Sequence, residues 1–301
     1  VSLDGLRGIA ALAIMFLHTS EFTLGRTLTS AGRAVDFFFL LSGFVLSAAY
    51  VAPGARYVRA RVIRLYPMVL FGVALGASLM LSTGLAGPWR TALALNLIGL
   101  PFPGISYAFD VPLWSIAIEA ELSVVFILLA RMRIPYLVIV LGCAAVAASL
   151  LQTPNPPEEF ARGLLPFVTG ILVHRLVKKS SGSKSLPIAA MLLLVCLLCI
   201  PEIQKVSVLR TAAFTVVLLA GISDPPSFAR PACDYLGRLS YPLYAIHWPL
   251  GWWAARHGIV GPWGFVATCA AAVCLAHVAM VLYDEPVRSA LSVRFARLKP
   301  A

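Results

Sequence analysis

Charge is what this chain has least of. Asp and Glu together number 13 in 301 residues, all charged residues make up 12%, and 60% of the positions are hydrophobic. With a mean hydropathy of +0.88, that composition excludes an average soluble domain and a disordered chain alike. Cysteine is also sparse and poorly placed for metal chemistry. The six Cys lie in or beside apolar segments, and Cys196 with Cys199 forms a single C-x-x-C without a second Cys or His pair at ligand spacing. No metal site is expected, and the thiols are expected to be buried and reduced. No 20- to 50-residue period and no low-complexity tract is present, which excludes a solenoid or repeat array. The chain opens at Val1 without an initiator Met, a basic n-region or a small-residue cleavage site, so a trimmed chain is expected rather than one carrying a signal peptide.

What is present is a series of apolar runs near the 17 to 25 residues, roughly, that a bilayer crossing needs. They lie at about 4–22, 34–52, 65–84, 111–131, 134–152, 160–177, 186–202, 206–222, 237–256 and 260–283. The expectation is an all-α, polytopic membrane bundle of about ten transmembrane helices forming a single domain, 1–301. The formal charge of +11 is therefore read loop by loop and not as a nucleic-acid surface. With the N-terminus inside, 17 of the 24 Lys and Arg fall on the inner side, so both termini are expected to be cytoplasmic.

Within this apolar background a few polar residues stand out. "LDGLRGIAALAIMFLH" places Arg7 and His18 eleven residues apart, on one face and about 16 Å apart along a helix axis. An ionisable group in a lipid-embedded helix costs about 2.5–3.5 kcal/mol on insertion scales and marks a functional site by default. In "RAVDFFFLLSGFVLS", Asp36 lies near the depth of His18 and is a candidate to orient its imidazole; an interfacial pair with Arg33 is the alternative. Ser42 and Gly43 sit in mid-span, where small residues favour close helix packing. The loop "RYVRARVIRLYP" gathers Arg56, Arg59, Arg61 and Arg64 ahead of the helix-limiting Tyr66-Pro67. It suits either a headgroup anchor or a polyphosphate site. "FDVPLWSIAIEAELSVVF" has Asp110 before the fourth span and Glu119 and Glu121 inside it, pointing to different helix faces. In "DYLGRLSYPLYAIHWPLGWW", Ser240, Tyr244 and His247 share one stripe, of the kind that faces a bundle interior or wet cavity.

In this order, "LDGLRGIAALAIMFLH", "DFFFLLSGF", "RVIRLYP", "LWSIAIEAEL", "YLGRLSYPLYAIHWP" and "YDEPVR" resemble the acyltransferase-3 superfamily of integral membrane O-acyltransferases. The resemblance implies ten membrane helices in a bacterial inner membrane. It also implies transfer from cytoplasmic acyl-CoA, acetyl-CoA most commonly, to a hydroxyl on a cell-envelope or lipid-linked glycan. His18 matches the family's essential His as base or acyl relay, with Arg7 its partner. Arg61 and Arg64 match the donor-associated Arg-x-x-Arg pair, and Glu119 the acid of the Trp-Ser-x-x-x-Glu element. Catalytic roles are thus expected of His18, Glu119 and Asp36, donor binding of Arg7, Arg61 and Arg64, and substrate contacts of Ser42, Tyr244 and His247. Glu121 stands where the family usually has Gln, and no appended SGNH-type esterase domain is expected. No metal and no nucleic acid enter the scheme; membrane lipids and the glycan acceptor are the expected partners. A membrane transporter is the competing class, but transporters tend to show inverted repeats, and the Arg-x10-His and Ser-Gly-Phe elements occur once each.

Overall fold

The computed structural model describes residues 2–27, 31–49, 55–81, 89–98, 109–150, 156–177, 186–199 and 207–297. Every regular element among them is helical. In chain order they are α1 (Ser2–Leu24), α2 (Ala34–Ala49), α3 (Ala55–Leu81), α4 (Trp89–Leu97), α5 (Leu113–Leu129) and α6 (Ile134–Leu150). There follow α7 (Pro156–Leu176), α8 (Leu186–Cys199), α9 (Ser207–Gly221), α10 (Arg230–Arg256), α11 (Gly261–Ala279) and α12 (Glu285–Arg297). A π turn, Met280–Asp284, joins the last two.

The helices follow the expected apolar runs, except that α7 and α10 begin earlier, at Pro156 and Arg230, and that three features differ in kind. The arginine-rich stretch 56–64 is not a loop: it forms the first turns of α3, and Pro67 lies inside that helix. The short α4 has no counterpart among the expected spans. The tenth run does not stop at 283 but continues through the π turn into α12. By length and composition, Ala31–Ala49, Val58–Met80 and Gly261–Phe295 are long and apolar enough to cross a bilayer, and Ile134–Leu150, Leu186–Cys199 and Ser207–Gly221 are shorter apolar helices. Lys178, Lys179, Lys184, Lys205 and Lys299, which contribute to the charge count, lie outside the described residues.

Apolar residues also form the outside of the helices. On α6, Leu137, Ala144 and Ala148 are buried while Val138, Ile139, Val146 and Leu150 are exposed; on α8, Leu194 and Leu197 are buried while Leu192 and Val195 are exposed. Trp263 and Leu282 are exposed at 85% and 73%. Helices apolar on both faces fit a lipid solvent and not water. This is an integral membrane protein. Its cysteines follow the same rule only in part: Cys233 and Cys269 are buried, whereas Cys143, Cys196, Cys199 and Cys274 are free thiols on exposed faces, contrary to the expectation that all are buried.

The chain forms two compact units. One comprises Val1–Ile14, Thr29–Gly54 and Ile118–Arg238, the other Met15–Leu28, Ala55–Ala117 and Leu239–Ala301. In the first unit α2 packs on α7 through glycines: a Cβ on Gly43 would strike the backbone of Phe167, and one on Gly170 the backbone of Leu40. The Phe37 and Phe214 rings meet edge to face at 5.7 Å. Arg175 closes the end of α5 by donating to the carbonyls of Met132 (2.6 Å) and Ala130 (2.7 Å), a side-chain cap for acceptors a helix end leaves open. In the second unit Phe71 of α3 packs against Tyr283 of the π turn. Arg59 lies over Phe295 of α12, 5.5 Å from the ring centre.

The glycine contacts predict that Gly43→Ala and Gly170→Ala each destabilise the protein, by about 1–3 kcal/mol as overpacking does. Gly142→Ala, where an added Cβ meets nothing within 4 Å, should be neutral or stabilising by up to about 1 kcal/mol. Thermal unfolding in detergent reads all three.

Candidate active site

α1 places His18 in the second unit, half-buried, with Nδ1 2.9 Å from Nε2 of His247 on α10. The two helices run in the same direction there: His18 meets His247, and four residues on, Phe22 packs beside Gly251 and meets Trp248 edge-on at 5.5 Å. The His247 side chain folds back on its own helix. Its Nδ1 lies 2.8 Å from the Tyr244 carbonyl and 3.1 Å from that of Leu243, and the residue is 1% exposed. One turn earlier, the Tyr244 hydroxyl lies 2.7 Å from Ser115 Oγ, the serine of the Trp-Ser element. Ser240, the third member of the stripe, is buried. The stripe expected to meet substrate is therefore turned toward protein partners at Tyr244 and His247, and the residue that touches His18 is one of its members.

The other acids expected beside His18 have partners of their own in the first unit. Asp36, 1% exposed, accepts from Arg162 at 2.6 to 2.7 Å through Oδ1 and from Arg210 through Oδ2. Arg162 and Arg210 are thus its hydrogen-bonding counter-ions, in a buried ionic cluster that joins α2, α7 and α9 and that Arg33, its partner in the sequence reading, also joins electrostatically. Arg210 is fully buried on α9. Glu119 accepts a hydrogen bond from Ser42 Oγ, and Ser123 Oγ donates to the Glu119 carbonyl at 2.6 Å. Glu121, two residues on, is exposed, the divergence of faces that the spacing requires. Within that unit, Arg7 donates to the Gly237 carbonyl of α10 at 2.6 Å and lies 3.4 Å from Asp4.

Arg61 and Arg64 are carried by α3, one turn apart. Arg61 is buried at 8% exposure and Arg64 is exposed, so the pair grades from the packed side of the helix to its open side. The neighbouring turns are braced: Tyr241 donates to the Leu65 carbonyl at 2.6 Å, and Tyr66 to the Leu97 carbonyl at 2.8 Å. Among the remaining histidines, His174 Nδ1 lies 2.9 Å from Ser47 Oγ, while His257 and His277 are exposed.

One acid stands apart. Asp110, in the segment before α5 and outside the helices, is completely buried, and neither carboxyl oxygen has a hydrogen-bond partner among the described residues. Burial raises its pKa well above the ordinary carboxylate range, which keeps the group neutral where a charge would be costly.

The acyltransferase domain family matches the chain over residues 1–281. The chain belongs to the acyltransferase-3 family. Among curated proteins it is 39% identical over 111 residues to "protein 2 in picA locus" of Rhizobium radiobacter, a match covering 34% of this chain and 51% of that protein. It is 30% identical over 181 residues to "acyltransferase MdmB" of Streptomyces mycarofaciens, covering 53% of this chain and 47% of that protein. The chain thus spans about half the length of the curated relatives it matches. No solved structure matches it.

Two outcomes test this geometry. Arg210→Met leaves the buried Asp36 short of one counter-ion and should cost about 3–5 kcal/mol, read as a sharply lowered Tm in detergent. Asp110→Asn should be more stable than the wild type at neutral pH. A carboxyl whose folded pKa is raised contributes its stability below the unfolded value of about 3.9 and loses it as pH rises through the folded value. The gap between variant and wild type should therefore close toward pH 4, and a pH-independent gap would refute the assignment.

Proposed function

We propose that the protein is a membrane O-acyltransferase that moves an acyl group, acetyl in the first instance, from cytoplasmic acyl-CoA to a hydroxyl of a cell-envelope or exported glycan. The observation that carries this reading is a half-buried His18 whose Nδ1 is engaged by protein while no partner for its Nε2 is found among the described residues, in a chain of the acyltransferase-3 family. A base needs one engaged and one open nitrogen. Donor recognition falls to Arg61 and Arg64, since guanidinium forks bind phosphate oxygens bidentately and coenzyme A carries a polyphosphate head. Their places on α3, one buried and one exposed, suit a ligand that reaches the helix from its open side. Arg7 keeps the donor-binding role that the family motif implies for it, and Glu119 and Ser42, joined by a hydrogen bond, keep theirs as acid and substrate contact. A ten-span topology with both termini in the cytoplasm, in a bacterial inner membrane, would put the basic turns of α3 on the side where acyl-CoA is made.

Purified protein in nanodiscs should release thiol from acetyl-CoA in the presence of a mixed glycan extract, and His18→Ala should lower that rate by about 10²–10⁴, the usual contribution of a general base. Arg61→Lys and Arg64→Lys should each raise the KM for acetyl-CoA about tenfold while kcat changes by less than about threefold, because Lys keeps the charge and loses the fork. Unchanged KM values would remove the two arginines from donor binding, and the absence of any acetyl-CoA binding by wild type would overturn the reading as a whole.

A further inference from the structure

His247 was expected to touch substrate, but it is 1% exposed and every polar atom of its ring faces protein. Those contacts determine where its proton sits. Two carbonyl oxygens, which only accept, lie within hydrogen-bond distance of Nδ1, so Nδ1 carries the hydrogen. A neutral imidazole has one N–H, which leaves Nε2 as a bare lone pair. That lone pair faces His18 Nδ1 at 2.9 Å, so the proton between the rings belongs to His18. By the same rule a neutral His18 is then bare at Nε2.

The ring geometry agrees. The centroids are 5.2 Å apart and the planes within 9° of parallel, close to the largest separation two imidazoles can have across a 2.9 Å N–N contact. The rings therefore meet edge to edge in nearly one plane, as a hydrogen bond between ring nitrogens requires, and do not lie face over face.

We propose that His247 is the positioning residue of this site: a neutral histidine, locked by the Leu243 and Tyr244 carbonyls, that fixes His18 as the Nδ1–H tautomer and aims its Nε2 lone pair as the base. The inference rests on the acyltransferase reading only for the step it serves. In that step the acceptor O–H proton passes to His18 Nε2 while the oxygen attacks the thioester carbonyl. The C–S bond then breaks, and the departing thiolate takes the proton from Nε2, leaving an ester, a free thiol and neutral His18. The imidazolium formed in between keeps its Nδ1–H bond to the His247 lone pair. A buried neutral acceptor here fills the place that a carboxylate holds in serine-hydrolase triads, where the wrong tautomer alone costs about 10⁴ in kcat.

The first measurement is ¹⁵N NMR of the protein labelled at its histidines in nanodiscs, at a pH where they are neutral, with His18 assigned from the signals lost in His18→Ala. Expected is a protonated Nδ1 and a bare Nε2 at His18 in the wild type; a bare Nδ1 with a protonated Nε2 overturns the proposal. His247→Leu should give His18 a mixture of tautomers and lower kcat by about 10²–10⁴, with the KM for acetyl-CoA within about threefold. His247→Gln, whose Oε1 can accept at the same place, should recover the wild-type tautomer and at least tenfold of the lost kcat. Wild-type turnover in His247→Leu, or no recovery in a folded His247→Gln, would also overturn it. The tautomer is read with no donor or acceptor present. A protein that shows it yet never releases thiol from acetyl-CoA would refute the acyltransferase reading and leave the assignment of His247 standing.

Discussion

A charge withdrawn into apolar protein must meet its counter-charge there, and Asp36 shows how much of this structure answers to that requirement. Its two oxygens are taken by Arg162 and Arg210, residues from two other helices, in a place almost closed to solvent. Stranding such a group costs several kcal/mol, while the intact cluster is worth far less than its Coulomb attraction suggests. The cluster is thus better understood as a condition on how α2, α7 and α9 can meet than as a source of stability. The same condition recurs where the partner is not an opposite charge. Ser42 with Glu119, Ser115 with Tyr244, and Arg175 over the end of α5 each satisfy a polar group on one helix with a group from elsewhere in the same unit.

Local pattern made part of this legible. The eleven-residue spacing of Arg7 and His18 fits the unbroken α1, the two-residue spacing of Glu119 and Glu121 separated their faces, and Ser42-Gly43 marked a close helix approach now seen against Phe167. Long-range pairing was not legible. The partners of Asp36 lie 126 and 174 residues away, and that of His18 is 229 residues away. No periodicity reports such distances, and the contact of His18 with a second imidazole, His247, was not legible from the preference for carboxylates beside histidine. Arg210 illustrates the limit: nothing in the spacing of a lone Arg near the start of an apolar run names its partner, and only its burial against Asp36 reveals a counter-ion.

Proline misled in a different way. Tyr66-Pro67 was read as the boundary between a basic loop and a helix, because proline removes a donor and crowds the preceding turn. In the folded chain α3 runs straight through it, braced by the tyrosine hydrogen bonds to the Leu65 and Leu97 carbonyls. Tertiary contacts outweigh the local preference. The family match ends at residue 281, yet Tyr283, Asp284 and Phe295 beyond it pack on Phe71, pair with Arg288 and lie beneath Arg59. The arginine-bearing part of α3 is therefore supported by residues that the family match does not include.

That α3 is helical from Ala55 has a consequence for depth. Its 27 residues extend about 40 Å at 1.5 Å per residue, against a hydrocarbon layer of about 30 Å, so roughly two turns must stand clear of the lipid if the helix spans upright. Arginines on a loop would settle wherever the headgroups and a ligand drew them. On a rigid post their height above the hydrocarbon is set by the count of residues from the apolar part of the helix, and inserting or deleting one residue between them and Pro67 would both raise or lower the guanidinium groups and swing them about 100° around the axis.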